Sequence, residues 1–232
     1  MQSNGGSISL ETAAQEPVRT ILSGPAGGVV GAQAVSAAAG IERIITFDMG
    51  GTSTDVCLSD RVLPFSTEAK IDGFPVNVPM LDIHTVGAGG GSIARIDSAG
   101  ALKVGPESAG SMPGPICYGF GGTRPTITDA DLALGYLNPA NFLGGEMELD
   151  RDGAMKGIER DVADPLGVDV ETAAWGIKKV VDNSMMQASR IHAAERGIDL
   201  REFTMIAFGG AGPMHAAFVA AELNVPEVIV PA

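Results

Sequence analysis

The sequence predicts an α/β fold, and three stretches predict it. Arg43-Ile44-Ile45-Thr46-Phe47 and Val56-Cys57-Leu58 are β-branched and aromatic runs on either side of a Gly50-Gly51 turn, the pattern of a strand pair. Phe203 to Phe208 is another apolar run, followed at once by Gly209-Gly210-Ala211-Gly212-Pro213 and a helical pattern from Met214 to Leu223. Between them lies the strongest helix, about Val170 to Arg196. Its Ala174, Ile177, Val180, Val181, Ser184, Met185, Ala188, Ile191 and Ala194 form an apolar stripe.

In chain order, residues 1–16 are polar and small, a loop or a connection to another domain. Pro17 to Leu22 suits a short strand. Ser23-Gly24-Pro25-Ala26 suits a helix start, with Ser23 or Gly24 near the cap and Pro25 in the first turn. The helix continues through Val29 to Ala39, and Gly40 stops it. Gly27, Gly28, Gly31 and Ala32 flatten one face. That helix either points its N-terminus at a phosphate or packs closely on a sheet. Strands at about 43–48, 54–59 and 62–69 then form an antiparallel meander, with Asp60-Arg61 turning between the last two.

Residues 71–168 are rich in glycine and proline. Val76 to Val86 is extended, with Asp82 and His84 on one face, a pair suited to a metal ion or to strand-end hydrogen bonds. Gly87 to Gly91 lines a cleft or makes a tight bend. Ile93–Asp97 and Ala101–Val104 form a hairpin, and Gly105 to Gly122 an ordered long loop. Cys117 in that loop would need a neighbouring base to act as a nucleophile. Thr128 or Asp129 caps a short helix, and Asp129 equally suits a metal or substrate contact. Asp150 to Ala163 is expected as a surface helix and Asp164-Pro165-Leu166-Gly167 as a turn. In the long helix Glu171 and Arg196 suit the dipole, Gly197 closes it, Trp175 and the methionines belong to the core, and His192 packs or hydrogen-bonds. His215, one turn into the last helix, either contacts a nucleotide or partners backbone groups.

The chemistry concentrates at two glycine turns. Gly50 and Gly51 let backbone N–H groups approach an anion, Thr52, Ser53 and Thr54 add hydroxyls, and Asp48 and Asp55 suit a hard divalent cation, often through water. A plain hairpin with polar decoration is the alternative. The spacing is not the G-x-x-x-x-G-K of a P-loop. The second turn, Gly209 to Gly212, opens a helix and so suits an anion or nucleotide.

This pair resembles the actin-like ATPases, whose second lobe holds phosphate on a D-x-G-G hairpin and adenosine on a later strand–GG–helix unit. Six ordered motifs narrow the resemblance: Ser23-Gly24-Pro25-Ala26-Gly27-Gly28, Asp48 to Asp55, Val86 to Ala94, Gly114-Pro115-Ile116-Cys117-Tyr118-Gly119, Pro125 to Ala130, and Phe208 to Ala216. Together they look like the A subunit of the hydantoinase/oxoprolinase family. The resemblance implies one domain over 1–232, a ribonuclease-H-like lobe of the actin-like ATPase fold, with its core at about 17–70 and 170–232 and an insert at about 71–168. It implies ATP and Mg2+, with Asp48 on magnesium or water and Asp55 as secondary metal partner. Gly50, Gly51, Thr52, Ser53 and Thr54 would hold phosphate, and Gly209, Gly210, Ala211 and Gly212 the nucleotide. The implied reaction is ATP-dependent opening of a cyclic amide such as a hydantoin or 5-oxoproline, with a B subunit or domain as partner. Related members are subunits of ketone carboxylases, and an isolated lobe could instead be a non-catalytic binding or assembly module. Family A subunits begin with a domain carrying its own early D-x-G-G-T, whereas this chain has that motif once, at Asp48. The chain is therefore expected to be an excised second lobe, lacking its N-terminal lobe and inactive alone.

Composition narrows the partners. The 232 residues are 45% hydrophobic, enough for one large domain with an insert. A formal net charge of −13 argues against binding nucleic acid or an anionic membrane and fits a cytoplasmic protein. Cys57 and Cys117 provide neither a disulfide framework nor zinc spacing. No apolar run approaches the roughly 18 residues of a spanning helix, and Met1 to Gly6 lacks the charge-then-apolar order of a signal peptide.

Overall fold

The computed structural model describes residues 1–67, 69–71 and 74–231. In chain order the elements are α1 (Leu10–Gln15), α2 (Ser23–Ala38), β1 (Arg43–Met49), β2 (Thr54–Asp60), β3 (Phe65–Ser66), β4 (Ala69–Ile71), β5 (Phe74–Val76), β6 (Met80–Leu81), β7 (His84–Val86), β8 (Ser92–Ile96), β9 (Leu102–Ser108), α3 (Ile127–Ala133), α4 (Arg151–Ile158), α5 (Asp164–Leu166), α6 (Val170–Glu195), β10 (Thr204–Phe208), α7 (Gly212–Leu223) and β11 (Glu227–Ile229).

One five-stranded sheet, ordered β11-β10-β1-β2-β7, organises the chain. β1, β2 and β7 are antiparallel neighbours, while β10 and β11 run parallel to β1. A three-strand meander extended by two parallel strands is the ribonuclease-H-like arrangement, so the α/β expectation stands. The strand-to-strand step from β10 to β11 is made through α7, as a parallel pair requires.

Period-two alternation gives β1 two buried faces. Ile45, Phe47 and Met49 join Val56 and Leu58 of β2 in the main core with Ile177, Val181 and Met185 of α6 and Ala216 and Val219 of α7. On the other face, Ile44 and Ile206 pack on Ala32 of α2, and Cys57 packs with Ala26 and Val29. The sheet is thus covered on both sides, with α6 and α7 on one and α2 on the other.

Several local expectations change. The meander's third strand is β7, not residues 62–69. Val62 makes only an isolated bridge to Asp60, the positive φ of Arg61 (65°) bends the chain away, and position 68 lies outside the described residues. An edge strand therefore comes from within the segment assigned to the insert. Pro17–Thr20 is a 3-10 turn, closed by the Thr20 hydroxyl donating to the Pro17 carbonyl at 2.8 Å, and residues 10–15 form α1 with Ser9 as cap. Leu22, not Ser23 or Gly24, precedes α2, and its side chain makes no cap. Thr126 caps α3 in place of Thr128 or Asp129.

The surface helix expected from Asp150 to Ala163 is present, with Arg151, Asp152, Lys156, Glu159 and Arg160 exposed, and its other face is buried. Ala154, Ile158, Val162 and Ala163 are buried, and a π-helical turn at Glu159–Ala163 lies between α4 and α5. In α6 the buried stripe runs Ala174, Ile177, Lys178, Val181, Met185, Ser189, His192 and Ala193, leaving Ser184, Ile191 and Ala194 exposed. The true stripe follows 3.6-residue periodicity strictly and admits a lysine and a histidine. Trp175 lies half-buried, edge-on to Phe218.

Candidate functional site

The register of β1 places the two carboxylates together. With Phe47 and Met49 in the α6–α7 core, Asp48 projects to the α2 face. Its directly opposed partner on β2 is Asp55. Opposed residues in an antiparallel pair share a face, with Cβ atoms about 5 Å apart. On the other flank Asp48 is in parallel register with Phe208. The Gly50–Ser53 turn and the Gly209–Gly212 loop thus leave the sheet at one end, beyond the carboxyl ends of β1 and β10, where open α/β sheets bind ligands.

Glycines let four segments converge there. The hairpin closes with Gly50 N–H donating to the Ser53 carbonyl at 3.0 Å, leaving Gly51 and Thr52 exposed. The Gly89–Gly91 segment lies directly against it: Gly90 N–H donates to the Gly50 carbonyl at 3.0 Å and Gly91 N–H to the Gly51 carbonyl at 2.6 Å. A Cβ on Gly89 would fall 2.7 Å from backbone atoms of Gly51 and Thr52. Gly209 adopts φ +81°, and a Cβ there would lie 2.6 Å from the Met49 carbonyl oxygen and collide with Asp48 Oδ1. Ala211 N–H donates to the same Met49 carbonyl at 2.9 Å. From α2, Gly28 reaches the ring of Phe208, and its Cβ would be 3.4 Å from Asp48 Oδ2. Close packing therefore accounts for Gly28. Gly31 and Gly24 face open space.

The electrostatics favour a cation between the carboxylates. Burial raises the pKa of Asp48 above its ordinary 3.8, and the charge of Asp55 raises it further. Burial also raises Asp55, opposed by the Thr85 hydroxyl donating to Asp55 Oδ1 at 2.5 Å. Two repelling, half-buried carboxylates beside an exposed glycine turn suit a hard divalent ion that completes its shell with water and phosphate oxygens. Among the described residues no group of three or more His, Cys, Asp and Glu is placed to hold a metal alone.

Other residues singled out in the sequence go elsewhere. Thr54 is fully buried on the α6 face, its hydroxyl donating to the Ala88 carbonyl at 2.6 Å; it is turned away from the hairpin tip, unlike Thr52 and Ser53. Gly210 is exposed with open space around it, whereas Ala211 and Gly212 are buried at the start of α7. Asp82 is ion-paired with Arg196, whose Nε lies 2.7 Å from Oδ2, and the His84 ring rests 5.4 Å from that of His192. Cys57 and Cys117 are free and buried, and burial pushes the Cys57 thiol up to about 12 and Cys117 higher still, the reverse of an activated nucleophile. Asp129 is fully buried. It accepts from the amides of Thr126 (2.8 Å), Cys117 (2.8 Å) and Ile116 (3.2 Å) and from the Thr126 hydroxyl (2.9 Å), which fixes the long loop on α3.

A buried charge cluster escaped the sequence reading. His215 partners side chains instead of backbone: Nδ1 lies 2.6 Å from Asp182 Oδ1, and Nε2 lies 3.1 Å from Asp131 Oδ2. Lys178 Nζ is 2.9 Å from Asp182 Oδ2 and 4.5 Å from the centre of the Phe218 ring. Asp131, Lys178 and His215 are all fully buried. The available signal was Lys178, a charge inside the apolar stripe four residues before Asp182.

Comparison with known proteins adds to this geometry. A family model described as "Hydantoinase/oxoprolinase" matches residues 1–232. The caprolactamase subunit alpha of Pseudomonas jessenii is 45% identical over 231 residues, 99% of this chain and 33% of that protein. A solved structure of nucleotide-free acetone carboxylase, from a study of ATP-dependent acetone carboxylation, superposes with a TM-score of 0.92 at 38% identity, covering 100% of this chain and 33% of that one. The ATP-dependent caprolactamase from Pseudomonas jessenii gives 0.87 at 44% identity, covering 99% and 33%. The chain thus spans about a third of the length of these three relatives.

Proposed function

Because the chain belongs to the hydantoinase/oxoprolinase family, we propose that it is the ATP-binding lobe of an enzyme that opens a cyclic amide. The observation that carries this reading is the cross-strand pair Asp48–Asp55 in register with the end of β10, which brings the Gly50–Ser53 turn and the Gly209 loop together. Asp48 orients magnesium or its bound water, with Asp55 as the second carboxylate. The Gly50 amide closes the turn, the amides of Gly51, Thr52 and Ser53 and the hydroxyls of Thr52 and Ser53 hold phosphate, and the Gly209–Gly212 loop borders the nucleoside. Bound ATP would supply a phosphoryl group to the amide carbonyl oxygen, with ADP as the leaving group, and so open the carbon to water. The chain's own contribution is positioning and charge neutralisation, the usual means in phosphoryl transfer. A second lobe and a B subunit complete the cleft, and the protein works in the cytoplasm.

The alternative acceptor is a ketone with bicarbonate, favoured by the 0.92 superposition on acetone carboxylase. The higher identity to caprolactamase favours the amide.

Calorimetric titration of magnesium-ATP into the wild type, Asp48→Ala and Gly209→Val tests the site. Binding lost in both folded variants supports it, and binding kept in both refutes it. ADP release by the intact parent enzyme with hydantoin, with 5-oxoproline, and with acetone plus bicarbonate then separates the two acceptors.

A further inference from the structure

We propose that His215, held as an imidazolium between Asp131 and Asp182, is a positioning residue that locks the Gly209–Gly212 loop onto the Asp48 hairpin. Its bearing on nucleotide rests on the function proposed above, but the lock itself rests on geometry alone.

Both ring nitrogens of His215 face carboxylate oxygens, Nδ1 at 2.6 Å and Nε2 at 3.1 Å. A neutral imidazole donates from one nitrogen only, so two carboxylate partners select the doubly protonated ring. Lys178 Nζ, 3.0 Å from Nδ1, then meets a like charge. Asp182 offsets this by accepting from both, one oxygen each. Two cations and two anions form a neutral buried group, the condition under which buried charges persist. Asp131 Oδ1 lacks a partner among the described residues, so His215 is Asp131's anchor.

Three helices meet at this ring: α3 through Asp131, α6 through Lys178 and Asp182, and α7 through His215. Thr128, one turn before Asp131 on α3, donates its amide (2.8 Å) and hydroxyl (2.9 Å) to the Gly90 carbonyl. Gly90 N–H donates to the Gly50 carbonyl at 3.0 Å. From the other side, α7 begins just after Ala211, whose N–H donates to Met49 at 2.9 Å. The path Met49–Gly50–Gly90–Thr128–Asp131–His215–Ala211–Met49 therefore closes. Each glycine loop is fixed relative to the hairpin, and the His215–Asp131 contact is a polar side-chain link that joins the two arms.

The test uses the full chain, with His215→Gln and Asp131→Asn, and Ile177→Val as a core variant at a comparable loss of melting temperature. Amide hydrogen exchange is read at Ala211, Gly90 and Thr128. Selective loss of protection at these three in His215→Gln or Asp131→Asn, absent in Ile177→Val, is expected. A second readout is the wild-type pH profile, in which protection at Ala211 falls as the imidazolium deprotonates, beyond the intrinsic exchange trend, and His215→Gln removes that dependence. Exchange that rises uniformly, or no more than in Ile177→Val, overturns the lock. Magnesium-ATP titration is independent of this. If the wild type binds, the two variants should bind about 3- to 30-fold more weakly, and unchanged affinity overturns the positioning role. If the wild type does not bind, the nucleotide titration moves to the intact enzyme with its second lobe, and the exchange data alone decide the lock.

Discussion

Asp48 and Asp55 face each other as directly paired residues across the β1–β2 hairpin, both pKa values raised by burial, and that of Asp48 raised again by its partner. A carboxylate whose folded pKa lies above its unfolded value costs stability as pH rises through the folded value, and costs nothing below the unfolded one. Asp48→Asn is therefore expected to melt higher than wild type at pH 7, with the gain vanishing near pH 3. Magnesium-ATP should raise the melting temperature of wild type only, through a stabilisation of about 2.7 kcal/mol at 100 times Kd. A variant no more stable than wild type at pH 7 contradicts this account.

Gly209 and Gly210 are adjacent but not equivalent. Alanine at 209 must hold φ +81° and meet the Met49 carbonyl, whereas 210 opens to solvent. Gly209→Ala should cost about 1–3 kcal/mol and Gly210→Ala about 0.5 kcal/mol or less. Urea midpoints read both, and equal losses would show the loop to be looser than described.

Thr54→Val removes the hydroxyl that satisfies the buried Ala88 carbonyl. The expected loss is about 1–3 kcal/mol, with ATP affinity unchanged once the fold is intact. Thr52→Ala should do the reverse. Affinity loss in Thr54→Val without a stability loss would return Thr54 to the phosphate site.

Asp129→Ala strands the amides of Cys117, Ile116 and Thr126 and breaks the cap of α3. The loss should reach about 3–5 kcal/mol in denaturant unfolding. A loss below about 1 kcal/mol would mean that the long loop is held by something else.

His215 gives stability the same pH sense as Asp48, a loss as pH rises, but in a higher pH window. Burial alone lowers its pKa, but hydrogen bonds to Asp131 and Asp182 outweigh both burial and the Lys178 charge and hold it above 6.5. Its contribution is full below pH 6.5 and lost as pH rises through the raised value. Wild type should therefore weaken as pH rises above 6.5, in a step that His215→Gln lacks. An identical pH profile in that variant would assign the step to another group.

The hairpin and the final strand–loop–helix were legible because each depends on local pattern: β-branched runs, paired glycines, and a helical pattern from Met214. The third strand was misplaced because His84–Val86 is three residues long and pairs across the 23 positions that separate it from the end of β2, for which sequence carries no register signal. Thr54 was grouped with Thr52 and Ser53 by adjacency, yet the period-two twist of β2 turns it to the opposite face. Asp131 and Lys178 resembled ordinary helix charges until the packing of three helices removed their water.

The sequence by itself determined the α/β class, the Asp48–Asp55 hairpin and the glycine loop after β10, because short-range chemistry sets them. Only the tertiary structure decided which glycines are obligatory, which hydroxyls face the turn, and that His215 joins two carboxylates. Those properties depend on close approach between segments distant in the chain, and a distance of 2.6 Å between Gly91 N and Gly51 O is written in no local pattern.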